Sequence, residues 1–399
     1  MDKTTEEEIR ELAPRCEHEW ACADPDHCFP NQIESIPAFL KALDYDPKDS
    51  RASYYLGNFY YNARQYEDAH NYWQRSADLD DHFPTVFRNL ALSYFNRKNE
   101  TDKALKALTK AFSLNKKDAR ILFELDQLYK RLNFEPEKRL EELSDFPDLI
   151  ESRDDLYLEK ISLLNIKGEY ENALELILNR KFHPWEGGEG KVTTQYVFSL
   201  TELAKTALLE DRNSEAFDYL ERSRSYPENL GEGKLFGAQE NDILFWQGLA
   251  LKKLDKHVEA EKKWKEASTG LSEPTAAMFY NDQQPDKIFY QGLAHFKLGN
   301  TNKSNSRFNK LIDYGEKHIF DPVKIDYFAV SLPDLLIFDD DLNKRNEIHC
   351  KYLIALGNLG FGNHRFAENL FREILDSDHY HYGALIHLNI IEKYLKYLL

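Results

Sequence analysis

Several absences narrow what this 399-residue chain can be. Its four cysteines, Cys16, Cys22, Cys28 and Cys350, are too few for a disulfide-stapled secreted domain. Nowhere do about 18 apolar residues run together, which argues against a membrane-spanning helix. Basic residues are in the minority, 52 against 69 acidic, and a formal charge of −17 repels nucleic acid and anionic lipid alike. The opening MDKTTEEEIR is charged and lacks an apolar core, so a cytoplasmic setting is expected. No Ser-His-Asp or Cys-His set stands out. His349 and Cys350 are neighbours, and neighbours on a helix point apart.

Aromatic residues, by contrast, are plentiful: 23 Tyr and 25 Phe against 2 Met. With 42% hydrophobic and 30% charged residues the chain reads as folded. Its length exceeds one ordinary core, so two domains or a repeat array is expected. Residues 51–82, RASYYLGNFYYNARQYEDAHNYWQRSADLDDH, place Leu56, Gly57 and Tyr60 ahead of Tyr66, Ala69, Trp73, Ser76 and Leu79. This resembles the tetratricopeptide repeat, a helix-turn-helix of 34 residues. A shift of 34 lands on Leu90, Ala91 and Tyr94, followed by Ala104, Leu108 and Ala111. The pattern returns at Tyr157–Ile177, Ala204–Leu220 and Gly248–Ala267, with a looser copy at Gly292–Leu311 and a last one at Ala355–Ile374.

Small residues let paired helices approach, and an aromatic on the second helix fills the space between neighbours. The expectation is an all-α fold, a right-handed superhelical α-solenoid of tetratricopeptide repeats with long inter-repeat inserts. Residues 1–32 would be a lead-in and 33–180 regular repeats. Residues 181–349 would be repeats with inserts, and 350–399 a last repeat with a capping helix.

The inserts begin at KFHPWEGGEGKVTTQY (181–196) and SYPENLGEGKLFGAQEND (225–242). They continue at SEPTAAMFYNDQQPDK (272–287) and over residues 313–349. Each falls between the second helix of one unit and the first of the next, so register places them along one edge. The first two share Gly-Glu-Gly-Lys. Neither is a phosphate loop, because that motif needs Ser or Thr after the Lys, and Val192 and Leu235 stand there. Gly and Pro ending helices is the plain explanation. The functional one is a ligand site of His183, Trp185, Glu186, Glu189, Lys191, Tyr226, Glu228, Asn229, Glu232 and Lys234, suited to a sugar or a basic peptide.

The phrases FHPWEGGEGKV, YPENLGEGKL, GAQEND, AMFYND, DYGEKH, DYFAVSLPD and FDDDLNKRNEIH resemble those of a bacterial family. Its members carry an N-terminal β-rich domain of unknown function followed by tetratricopeptide repeats with such inserts. The resemblance runs from about Asp26 to near Asp378. It implies that this chain corresponds to the C-terminal repeat portion of such a protein, in a carbohydrate-related setting at most.

Other chemistry is weakly signalled. Cys16, His18, Cys22, His27 and Cys28 lack the paired Cys-x2-Cys spacing of structural zinc sites, so no metal and no cofactor is expected. A glycosidase needs two carboxyl groups across a bond, but acidic residues in the inserts, among them Glu240, Asp242, Asp282, Asp334 and Asp339 to Asp341, are simply common in this chain, and a non-enzyme is expected. The aspartate run also suits a helix start. A chaperone-type carboxylate clamp would use Asn58, Asn89 and Arg120, but Tyr54 and Glu124 hold the other basic positions. First-helix residues Arg51, Tyr54, Asn58, Asn62, Arg88 and Asn96, with Tyr61, are expected to be exposed and to suit an extended peptide. The sequence thus points to a non-catalytic binding or scaffold module with an insert-lined recognition surface for a protein or peptide, such as the family's β-rich domain. No nucleic acid or membrane is expected as a partner. An oligosaccharide is the alternative ligand.

Overall fold

A computed structural model describes residues 32–277, 282–323 and 337–398, and among them every regular element is helical. The Cys16–Cys28 cluster and Asp334 lie outside the described residues. Contacts divide the chain into two compact units, with the boundary between Leu128 and Tyr129. The first contains α1 (Ser35–Tyr45), α2 (Ser50–Asn62), α3 (Tyr66–Leu79), α4 (Pro84–Asn96), α5 (Thr101–Leu114) and most of α6 (Ala119–Arg131). The stretch Ile337–Asp339 also belongs to it. The second unit holds α7 (Pro136–Ser144), α8 (Pro147–Ser152), α9 (Asp154–Ile166), α10 (Tyr170–Asn179), α11 (Lys191–Leu209) and α12 (Asn213–Arg222). It continues through α13 (Asn241–Lys253), α14 (His257–Ala267), α15 (Pro285–Lys297), α16 (Thr301–His318), α17 (Leu342–Gly360) and α18 (His364–Ser377). Last come α19 (Tyr382–Asn389), a π-helical stretch at Ile390–Tyr394, and α20 (Leu395–Leu398).

The repeat is an antiparallel hairpin, and its turn can be followed through the backbone. A residue with positive φ recurs at Arg64, Asn99, Asn133 and Gly168, then at Asp211, Asp255, Gly299 and Gly362. The intervals are 34 or 35 residues through Gly168, 43 or 44 through Gly299, and then 63. Lengthening starts where the inserts were expected.

Within three hairpins a first-helix glycine faces an aromatic sixteen residues later: Gly57 with Trp73, Gly248 with Trp264, and Gly292 with Phe308. A Cβ on any of these glycines would overlap the ring. Close approach of the helices, rather than backbone freedom, is what the glycine provides. Asp49 caps α2 by accepting the Ala52 N–H at 2.9 Å, and Asp118 accepts those of Arg120 and Ile121 at the start of α6. Pro84, Pro136, Pro147 and Pro285 open α4, α7, α8 and α15, where a missing N–H costs nothing.

Helix boundaries trim the expected inserts. Lys191 already begins α11, and residues 225–240 form the second insert, with one 3-10 turn at Glu228–Leu230. Of residues 313–349, α16 takes those up to His318 and α17 those from Leu342. Asp341 is the cap of α17, accepting the Asn343 and Lys344 N–H groups at 3.0 Å. The aspartate run there does start a helix.

The segment expected to cap the last repeat reaches much further back. The Tyr382 hydroxyl sits 2.7 Å from Ser162 Oγ on α9 and 3.1 Å from Gln195 Oε1 on α11. His387 packs against Phe289, Tyr290 and Tyr352, and Tyr394 against Trp246. The Tyr397 hydroxyl donates to the Leu208 carbonyl at 3.0 Å. From α19 to α20 the chain therefore lies along the first helices of the second unit.

Candidate functional site

The two Gly-Glu-Gly-Lys loops meet, and their polar groups are engaged with each other. The Phe182 N–H donates to the Asn229 carbonyl at 2.8 Å. The Asn229 side-chain amide donates to the carbonyls of Ile177 and Arg180, both at 2.8 Å, and so closes the C-terminal end of α10. Both Glu232 carboxylate oxygens accept the Gly190 N–H, at 3.1 and 3.0 Å, where α11 begins and the helix dipole favours an anion. Burial nevertheless holds the Glu232 carboxyl above its usual range, aided by the charge of Glu189 and opposed by the Gly190 N–H. Gly231, with φ of 76°, must be glycine, since a Cβ would run into the Phe182 carbonyl.

The other loop candidates have varied surroundings. Trp185 lies half-buried with its ring against Gly188. His183 is exposed, its N–H donating to Asp154 at 2.8 Å with the ring Nδ1 at 3.1 Å from the same oxygen. Glu186, Glu189, Glu228 and Lys191 are exposed. Tyr226 is half-buried, edge-on to Tyr196 at 6.4 Å, and burial pushes its phenol up. Lys234 donates to the Arg224 carbonyl at 3.1 Å and pairs with Glu240. The loop therefore repeats in sequence without repeating in structure. In the first copy Gly-Lys opens a helix, whereas in the second Lys234 precedes six more residues of loop.

In the first unit the expected exposed face is partly interior. Tyr54 and Asn58 are 3% and 4% exposed. Tyr54 packs against Phe83, and Asn58 Oδ1 accepts from Trp73 Nε1 at 3.0 Å and Asn89 Nδ2 at 2.8 Å. Arg88 grips Glu124 with two hydrogen bonds, 2.6 and 2.5 Å, and donates to Asn89 at 3.1 Å. The amides of a carboxylate clamp are thus already bonded, and a buried carboxylate faces them. Arg51 is half-exposed with its guanidinium 3.7 Å from the centre of the Phe83 ring. Asn62 is exposed.

Asn96 behaves differently. Its amide donates to the Ile337 carbonyl at 3.0 Å and accepts the Asp339 N–H at 2.9 Å. The repeat register marks Asn96 and the insert pattern marks Asp339, but nothing in the sequence marks Phe95 and Arg97 or pairs α4 with residues 337–339.

Three unrelated-looking carboxylates of the inserts have partners as well. Asp242 and Lys287 form a 2.5 Å pair, Asp340 reaches Arg131 at 2.7 Å, and Glu240 pairs with Arg224 at 3.1 Å. Cys350 is buried, its thiol pushed up to about 11 by desolvation, which makes it a poor nucleophile. Among the described residues no group of three potential metal ligands gathers, and no helix is long and apolar enough to cross a membrane.

Stacked hairpins, a recurrent left-handed turn and glycine-aromatic contacts define the class, an α-solenoid of tetratricopeptide-type repeats. The tetratricopeptide-repeat family pattern matches residues 38–71, spanning α2 and the helix ends flanking it. Among solved structures the chain is similar to YrrB, described as a TPR protein with an unusual peptide-binding site. Identity there is 16%, covering 58% of this chain and 99% of that one, with a TM-score of 0.36. A tetratricopeptide repeat protein from Parabacteroides merdae is 14% identical, covering 66% of this chain and 91% of that one, with a TM-score of 0.33.

Proposed function

We propose that this chain is a non-catalytic scaffold that binds polypeptide on the first-helix faces of its repeats. One observation carries the reading: each unit already receives a segment of its own chain there, Ile337–Asp339 in the first and α19 to α20 in the second. Side-chain amides, hydroxyls and aromatic rings on these faces are chemically suited to backbone and side chains of another polypeptide. The β-rich domain of the family this sequence resembles is the first partner to try. A sugar site in the inserts has less support, since Asn229 and Glu232 bond the backbone and Trp185 leans on Gly188.

Calorimetric titration with the separately produced β-rich domain and with a panel of oligosaccharides tests this. Association with the domain and no heat with the sugars is the expected outcome. Micromolar sugar binding, lost in Trp185→Ala and kept in Asn62→Ala, would overturn it.

A further inference from the structure

We propose that the Phe95–Arg97 end of α4 is a receptor for a short peptide with an aromatic residue followed by an acidic one, occupied in cis by Ile337–Asp339. The proposal rests on the polypeptide-binding reading above and gives it a ligand chemistry. The Asn96 amide bonds the main chain on either side of Phe338, donating to the carbonyl before it and accepting the N–H after it. A side-chain amide placed this way satisfies main-chain groups on both sides of one residue, whatever side chain that residue carries.

Selectivity comes from the side chains. Phe338 is 2% exposed and meets Phe95 edge-on at 5.0 Å, so the site reads an aromatic. Asp339 lies 3.5 Å from Arg97, whose guanidinium is stacked 4.0 Å over the Tyr66 ring and thereby oriented. Ile337 is half-buried and Asp339 exposed, as expected for a ligand with one anchoring residue. Asn62 stands 34 residues earlier, at the same place on α2, and is exposed. It offers a second amide to a longer partner.

Because the resident segment is tethered, it competes at millimolar effective concentration. A partner peptide is therefore expected to bind the intact chain at least about tenfold more weakly than a chain whose resident anchor is removed. The test uses fluorescence anisotropy with a labelled peptide LIFDDD, residues 336–341, and the full-length chain. Phe338→Ala should bind it, wild type should bind it at least about tenfold more weakly, and Phe338→Ala with Asn96→Ala should lose about tenfold or more. A peptide with Ala in place of its Phe should not bind.

No binding to Phe338→Ala at millimolar peptide, with helix content intact by circular dichroism, would overturn the proposal. Equal binding with and without Asn96 would do the same. If Phe338→Ala loses helix content, Asp339→Lys, which reverses the pairing with Arg97, serves as the opening variant under the same criteria. Peptide binding without β-rich-domain binding would leave this site standing and remove only the named partner. The converse would remove this site and leave the scaffold.

Discussion

Arg139 has no exposed side-chain surface and donates to Glu159 at 2.8 Å, while Lys130 approaches the same carboxylate at 3.1 Å. Desolvation pushes the Glu159 carboxyl up, but the Lys130 and Arg139 charges outweigh it and pull it down to about 2. A carboxyl lowered on folding contributes stability above its unfolded value of 4.5 and loses it as pH falls towards 2. Glu159→Gln should therefore destabilise the neutral protein by about 3–5 kcal/mol, because Arg139 is left as a buried cation, and should flatten the acid limb. Urea denaturation between pH 2 and 7 reads both effects.

Glu232 has the opposite sign. Its carboxyl is raised on folding, so ionising it costs stability as pH climbs past the unfolded value, even though it caps α11. Glu232→Gln keeps an acceptor for Gly190 and should change neutral stability by less than about 0.5 kcal/mol. Glu232→Ala, which removes the acceptor, should cost about 1 kcal/mol. The contrast between the two substitutions, read by thermal melting, separates a capping role from a ligand-binding one. Sequence supplied the residue types here, but not the fact that the open ends of α10 and α11 stand beside them. Asn96 was legible in the same limited way: its position in the repeat marked it, whereas a contact 241 residues away left no local sign.

Among the elements, the hairpin was the most legible. Glycine and aromatic at fixed spacing read directly as two helices in contact, because the physics is local and repeats. At an open helical site Gly→Ala stabilises by about 1 kcal/mol. At Gly57, Gly248 or Gly292 the methyl meets a ring, and overpacking of about 1–3 kcal/mol should turn the sign to net destabilisation, measurable as a lower midpoint in urea. The path of α19 was not legible. Its apolar residues read as a cap for the last repeat, and nothing local tells which of several faces they cover.

His387 provides a handle on that helix. Its Nδ1 donates to the Gly383 carbonyl at 2.7 Å and lies 3.2 Å from the Tyr352 hydroxyl. Burial pulls the imidazole down to about 3, with the nearby Lys205 and Lys287 lowering it and Asp242 opposing them. A histidine held neutral on folding loses stability as pH falls below its ordinary 6.5, since only the unfolded chain takes up the proton. Hydrogen-exchange protection factors across residues 382–398, taken relative to the intrinsic exchange rate at each pH, should therefore fall from pH 7.5 to 5, and His387→Gln should remove most of that change.

For the whole molecule, deletion of residues 382–399 would bare Phe198, Trp246, Phe289, Tyr290 and Tyr352, all buried now. The expected result is increased dye binding and a lowered melting transition for the second unit, with that of the first unit unchanged. Loss of both transitions together would mean that the units do not melt independently.

Order of manufacture gives this arrangement a further consequence. Tyr382 leaves the ribosome 220 residues after Ser162, the group it touches. At about 5–20 residues per second the interval is roughly 10–45 seconds. During it the aromatic lining of the second unit is made step by step, from Phe198 to Tyr352, while its cover is still to come, so a nascent chain stalled late in that window should attract chaperones that a finished one does not.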